Sequence, residues 1–110
     1  MPGSENSTAQ GSRALLHYPA AIMFYYVYLL QSTTGNHLYI GYAFDLKKRL
    51  SEHNRGLNFS TKPYKPWRLI HFEAYRDEQD AKRRERYLKT SQGARLLKRM
   101  LKEYFYHHKN

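Results

Sequence analysis

The chain begins with a polar stretch and then alternates between aromatic-rich runs and helical stripes. Pro, Gly, Ser, Asn, Thr and Gln dominate residues 1–20. That composition predicts a disordered extension, followed by a domain over 21–106 and a frayed tail at 107–110. Phe24 to Leu30 is rich in Tyr and Val and reads as a strand. Gln31 to Asn36 is a turn in which Gly35 is free to take positive φ. His37 to Tyr42 returns as a second strand, so residues 24–42 form a hairpin. Asp45 suits a helix N-cap or first turn, and Leu46, Leu50 and His53 share one helical face before Gly56 stops it. Residues 54–66 are a basic, polar loop holding Pro63 and Pro66, and Trp67 to Tyr75 is a third strand. Asp77 or Glu78 starts a second helix that runs to about Thr90. Gly93 allows a break, and a last helix covers Ala94 to about Phe105 with the stripe Ala94, Leu97, Leu101 and Tyr104. The order ββαβαα predicts an α+β fold, a small antiparallel three-stranded sheet flanked by helices.

Charge narrows the class of partner. Glu5 and Arg13 cancel, so the whole formal charge of +10 falls on residues 21–110. A domain so small and so basic suits a polyanion, with nucleic acid ahead of an anionic membrane surface. Eleven tyrosines interleave with Lys and Arg, a composition that serves base stacking beside phosphate neutralisation as well as a small β-rich core. Cysteine is absent, which excludes disulfides and thiolate metal sites and fits a cytoplasmic protein. Tyr18 to Leu30 carries no charge but is too short to span a bilayer, since a spanning helix needs about 20 apolar residues.

Five residues carry candidate chemistry. Tyr28 and Tyr39 fall on paired strands of the hairpin, so their hydroxyls can converge. A phenol with a pKa near 10 is a poor base without help. Arg49 can supply a cation that forks onto phosphate, or else an i,i+4 partner for Asp45. His53 lies one turn beyond Arg49 on the same face. Glu85 shares a stripe with Ala81 and Leu88, so a carboxylate replaces an apolar residue on an inward face. It needs a cation or a hard metal, or it is a surface acid paired with Lys89 or Lys82. The remaining histidines have no zinc spacing. Gly41-Tyr42-Ala43-Phe44 matches the middle of an RNA-recognition strand signature, but Ile40 precedes it and a helix pattern follows it.

In order, these residues resemble the GIY-YIG nuclease superfamily, in particular its small stand-alone members, and are similar to the N-terminal nuclease domain of the excision-repair incision protein. The resemblance covers about residues 23–100. Tyr26-Val27-Tyr28 stands at the first triplet with Tyr26 in place of Gly, and Tyr39-Ile40-Gly41 is the second triplet intact. Asp45 to Leu50 followed by His53 resembles the helix of the catalytic Arg. Ala81 to Glu85, then Leu88-Lys89, resembles the helix of the metal-binding Glu. Lys62 to Trp67 is typical of the stand-alone group.

The resemblance implies a divalent-metal-dependent endonuclease that hydrolyses one strand of nucleic acid, DNA ahead of RNA, in repair or recombination. Tyr39 would help deprotonate water, Tyr28 would orient the network, and Arg49 would stabilise the phosphate. Glu85 would hold Mg²⁺ or Mn²⁺, and His53 matches a position used in some branches. No small-molecule cofactor is implied. Lys47, Lys48, Arg55 and Lys62 are the expected phosphate contacts, with Tyr64 and Phe59 as stacking surfaces. The chain departs from the family where Leu97 stands in place of an Asn and Tyr42 in place of the repair branch's Lys. The alternative is a nucleic-acid-binding module with weak or lost catalysis, and a membrane-surface protein ranks third.

Overall fold

The computed structural model describes residues 23–108; the expected N-terminal extension and residues 109–110 lie outside the described residues. β1 (Tyr25–Ser32) and β2 (Leu38–Ala43) form the hairpin, and β3 (Trp67–Tyr75) pairs with the other side of β1. The sheet is antiparallel, three-stranded and ordered β2-β1-β3, so the first strand is central. Its centrality explains why residues 27–32 are all buried while the two edge strands are mixed.

Strand alternation sends β1 side chains to two different cores. Tyr28 and Leu30 join Ala43 and Trp67 under Leu46 and Leu50 of α1 (Leu46–Asn54). Val27 and Leu29 face the other way, onto Ala81 and Leu88 of α2 (Glu78–Leu88) and Leu97 of α3 (Ser91–Met100). One helix therefore covers one face, and α2 and α3, with the short α4 (Lys102–His107), cover the other.

Helix starts follow the expected capping chemistry. The Asp45 carboxylate accepts from the Lys48 amide at 3.0 Å, and Asp77 accepts from the Gln79 amide at 2.8 Å. Gly56, with φ of 75°, ends α1 in the left-handed region. Between α1 and β3 a single 3₁₀ turn, Lys62–Tyr64, interrupts the loop. Asn54 ties the two ends of that connection together. Its side chain accepts from the Trp67 amide at 2.5 Å and donates to the Trp67 carbonyl at 3.1 Å.

The C-terminal half differs from the sequence expectation. The break comes at Thr90, whose hydroxyl caps α3 through the Gly93 amide at 3.1 Å, and Gly93 lies inside the helix. A second interruption at Leu101 sets off α4, one helix more than expected. That last helix continues through His107, where a tail was expected, and the His108 ring stacks on Tyr104 at 4.3 Å. Tyr104 anchors α4 to the sheet by donating to Gln31 at 2.6 Å and accepting from Arg68 at 3.1 Å.

A polar anchor holds α2 to β3. Arg84 donates two hydrogen bonds to Glu73, at 2.8 and 3.2 Å, and His71 and Tyr75 bond the same carboxylate. Burial alone would raise the Glu73 carboxyl, but bonds from Arg84, His71 and Tyr75 outweigh it and hold the carboxyl at about 2.

Gly93 is required by contact. A Cβ there would meet the Tyr87 carbonyl oxygen at 2.1 Å and the Leu88 Cα at 2.5 Å. Alanine is intrinsically better in a helix by about 1 kcal/mol, but forcing atoms into a packed site costs about 1–3 kcal/mol. Gly93→Ala is therefore expected to lower the urea midpoint. A raised midpoint would show that the α2–α3 corner yields freely.

Candidate functional site

The site starts from a missing side chain. A Cβ on Gly41 would lie 2.3 Å from both Cζ and the hydroxyl oxygen of Tyr28, so the Tyr28 ring occupies the space above that glycine. Tyr28 and Gly41 are direct partners across β1 and β2. The bare glycine thus lets the phenol lie across β2, the edge strand.

There the hydroxyl meets α1. Tyr28 Oη and His53 Nε2 are 2.9 Å apart, and His53 Nδ1 and Thr61 Oγ1 are 2.8 Å apart. All three residues are at most 1% exposed. The Tyr39 ring packs edge-on against His53 at 4.9 Å and tilts toward Tyr28 at 6.3 Å. Among the described residues the Tyr39 hydroxyl has no hydrogen-bond partner.

Arg49 stands beside the Tyr28 hydroxyl. Its guanidinium donates to the Tyr42 carbonyl at 3.1 Å and pairs with Glu52 at 3.2 Å. The alternative pairing with Asp45 does not form, because that carboxylate is used as the helix cap. The Arg49–Glu52 pair is well exposed and worth little.

Glu85 comes from the opposite face. α2 packs against both β1 and β2, and Ala81 and Leu88 on its inward stripe are buried. Glu85 is 20% exposed, with Oε2 on Lys89 Nζ at 2.9 Å. Lys82 pairs with Glu78 instead. The Lys89 pairing weighed from the sequence is therefore present, yet the carboxylate is close enough for its charge to act on Tyr28. The structure thus brings Tyr28, Tyr39, His53 and Arg49 into contact or near contact, with Glu85 within electrostatic reach.

Burial sets the protonation states. It pushes the Tyr28 hydroxyl up to about 12, with Tyr39 and Glu85 adding and the neighbouring Arg49 opposing. His53 is lowered by burial first and then by the Arg49 charge, with Glu52 opposing. The imidazole is neutral at pH 7.

A hard cation fits Glu85 only in one manner. Among the described residues no three acidic or histidine side chains gather as a cage. One carboxylate can still hold a Mg²⁺-type ion whose other ligands are water and phosphate oxygens.

The expected binding residues sit on α1 and the loop after it, on the side of the sheet that carries the two tyrosines. Lys47, Lys48, Arg55 and Lys62 are exposed, and none forms an ion pair among the described residues. Phe59 is 94% exposed. Tyr64 is partly occupied, since its ring packs at a tilt against His37 at 3.8 Å and its carbonyl accepts from Ser32 at 2.6 Å. Sequence reading missed Thr61, Asn58 and Asn54. The signal for the first two was present: Asn58 Oδ1 accepts from the Ser60 amide at 3.0 Å and from the Thr61 amide at 3.3 Å, an Asx turn.

The site gathers two phenols from the sheet, an imidazole and an arginine from α1 and a carboxylate from α2, within a fold of the nuclease-type catalytic class that the family match indicates. A family profile described as the GIY-YIG catalytic domain matches residues 24–100, and the chain belongs to that family. It is also 36% identical over 80 residues to UPF0213 proteins of Staphylococcus aureus strains Mu3, Mu50 and N315, an alignment covering 72% of this chain and 95% of each relative. No solved structure gives a significant match. Among the described residues no helix is long and apolar enough to cross a membrane.

The buried imidazole makes stability depend on pH. The unfolded chain protonates His53 near the ordinary 6.5 while the native site resists it, so the unfolded state binds more protons between those two values. This contribution is complete above 6.5 and is lost as pH falls through the lowered native value. Melting temperature should decline as pH falls below 6.5, with a smaller slope in His53→Gln. Equal slopes in the two proteins would exclude His53 as the source. Gly41→Ala, which drives a Cβ into Tyr28, should lose about 1–3 kcal/mol in urea unfolding.

Proposed function

We propose that this protein is a divalent-metal-dependent endonuclease that hydrolyses a DNA phosphodiester bond, working in the cytoplasm. The observation that carries the reading is the Tyr28–His53 hydrogen bond of 2.9 Å with Arg49 beside the phenol. A phenol at about 12 is not ionised at neutral pH. It can pass a proton only if a neighbour accepts one, and a neutral His53 is that neighbour.

The residues then divide the work. Water attacks phosphorus and gives its proton to the Tyr28 oxygen as the Tyr28 proton moves to His53 Nε2. The ester P–O bond on the far side breaks, and its oxygen takes a proton from solvent. Family resemblance assigned the proton to Tyr39. The hydrogen bond to His53 favours Tyr28, and leaves the unpartnered Tyr39 hydroxyl to orient the water. Arg49 binds a phosphate oxygen and stabilises its added charge. Glu85 would hold Mg²⁺ or Mn²⁺, which supplies Lewis-acid polarisation of the phosphate when bound. Lys47, Lys48, Arg55 and Lys62 neutralise the backbone, as the +10 charge supports, and Tyr64 and Phe59 offer stacking surfaces.

Single-stranded, duplex and branched DNA, incubated with Mg²⁺, Mn²⁺ or chelator, provide the test. Cleavage should require the metal, and Arg49→Ala or Glu85→Gln should slow it roughly 10²–10³-fold while binding persists. Variants cutting as fast as wild type would refute the reading. Steeply salt-dependent binding with no cleavage of any DNA would favour a binding module instead.

A further inference from the structure

His53 uses both ring nitrogens, and the second one decides what the first can do. Nε2 faces the Tyr28 hydroxyl at 2.9 Å and Nδ1 faces the Thr61 hydroxyl at 2.8 Å. A neutral imidazole has one N–H, so the proton sits at one of these contacts and a lone pair at the other. Two polarities are therefore open. Only one of them lets His53 take a proton from Tyr28.

Thr61 selects between them. Its hydroxyl also contacts the Asn58 carbonyl at 3.5 Å. The Thr61 hydroxyl has one hydrogen: it either donates to Nδ1, or it donates to the Asn58 carbonyl, which accepts and never donates, and offers its lone pair to an Nδ1–H; the carbonyl contact points to the second arrangement. Nδ1 then carries the proton, and Nε2 is left to accept from Tyr28. The Thr61 backbone is fixed on both sides. Its amide donates to the Asn58 carbonyl at 3.3 Å, and its carbonyl accepts from Trp67 Nε1 at 2.9 Å. Thr61 and His53 are buried at 1% and 0% exposure, which leaves little room for water to take over either bond.

We propose that Thr61 is a positioning residue, whose hydroxyl accepts the His53 Nδ1–H and thereby reserves Nε2 as the acceptor of the Tyr28 proton. The assignment of the tautomer stands on hydrogen-bond geometry alone. Its consequence for cleavage rests on the nuclease reading above. The logic is that of any base oriented by a third group, here supplied by a neutral hydroxyl from the loop between α1 and β3.

The test separates the two. In the ¹⁵N-labelled full chain at pH 7.5, imidazole nitrogen–proton correlation spectra report which nitrogen of His53 is protonated. Protonation at Nδ1 is expected in wild type; protonation at Nε2 would overturn the proposal with no variant needed. Thr61→Val should shift or mix the tautomer and slow DNA cleavage roughly 10- to 100-fold while leaving DNA affinity within about twofold. Thr61→Ser should restore both the spectrum and the rate. A Thr61→Val protein that keeps the wild-type spectrum and rate would also overturn it. If the valine variant does not fold, the wild-type spectrum and the serine variant decide. Should wild type cut no DNA at all, the nuclease reading fails, and the spectra still decide the role of Thr61 at His53.

Discussion

The contact of the Tyr28 ring with the bare Cα of Gly41 is the constraint on which the site depends. A side chain at Gly41 would claim the volume that the phenol fills. Once the ring is laid there, its hydroxyl is withdrawn from bulk solvent and needs a partner, because an unpaired buried hydroxyl costs about 1–3 kcal/mol. His53 satisfies it, and the second nitrogen of His53 then needs Thr61 in turn. The sequence of obligations ends at the Asn58 carbonyl, in the loop after α1. A steric vacancy in β2 thus propagates through β1 and α1 into a loop that local sequence would leave irregular.

The two-faced sheet explains how groups of opposite charge reach one place. Tyr28 and Tyr39 lie on the face covered by α1, whereas Glu85 belongs to α2 on the other. Both reach toward β2, the edge strand, so the sheet itself separates the carboxylate from the imidazole. Arg49 then acts on Tyr28 and His53 together. Burial wins over the arginine at the phenol, since the hydroxyl is held at about 12 and not below its ordinary 10. At His53 burial and arginine work in the same direction, which keeps the imidazole uncharged. The pair is therefore a protonated phenol beside an uncharged imidazole.

Most elements were legible because their signals are local. Asp45 and Asp77 cap helices where their positions predict it, Gly56 ends α1, and residues Trp67–Tyr75 form the third strand at the expected bounds. The Ala81, Glu85 and Leu88 stripe was legible as a periodicity, with both apolar members buried. What escaped depends on contacts between distant residues. Gly93 looked like a helix break, because a sequence does not reveal that the Tyr87 carbonyl lies against it. Thr61 and Asn54 both read as ordinary residues of the polar loop 54–66, whereas Asn54 closes α1. Their roles exist only after β3 brings Trp67 back beside α1. The pairing of Arg49 with Glu52 rather than Asp45 follows from competition, since the cap claims the Asp45 carboxylate first.

The two departures from the family pattern resolve differently in space. Leu97 is 3% exposed and packs with Val27, Leu29 and Leu88, so an apolar side chain at that position serves the core. An amide in its place would require a partner that this cluster does not contain. Tyr42 is a different case. Its hydroxyl donates to Glu78 at 2.5 Å, and Lys82 lies 5.6 Å from the centre of its ring. A cation thus stands next to the position where the repair branch carries a lysine, but it comes from α2 and is shared with Glu78 at 3.5 Å. Arg49 touches the Tyr42 carbonyl on the same strand at 3.1 Å, so both sides of the β2 edge present a cation. Each of these cations already has a carboxylate partner, Glu52 for Arg49 and Glu78 for Lys82, so the pull on an anion falls to Lys47, Lys48, Arg55 and Lys62, which form no ion pair among the described residues.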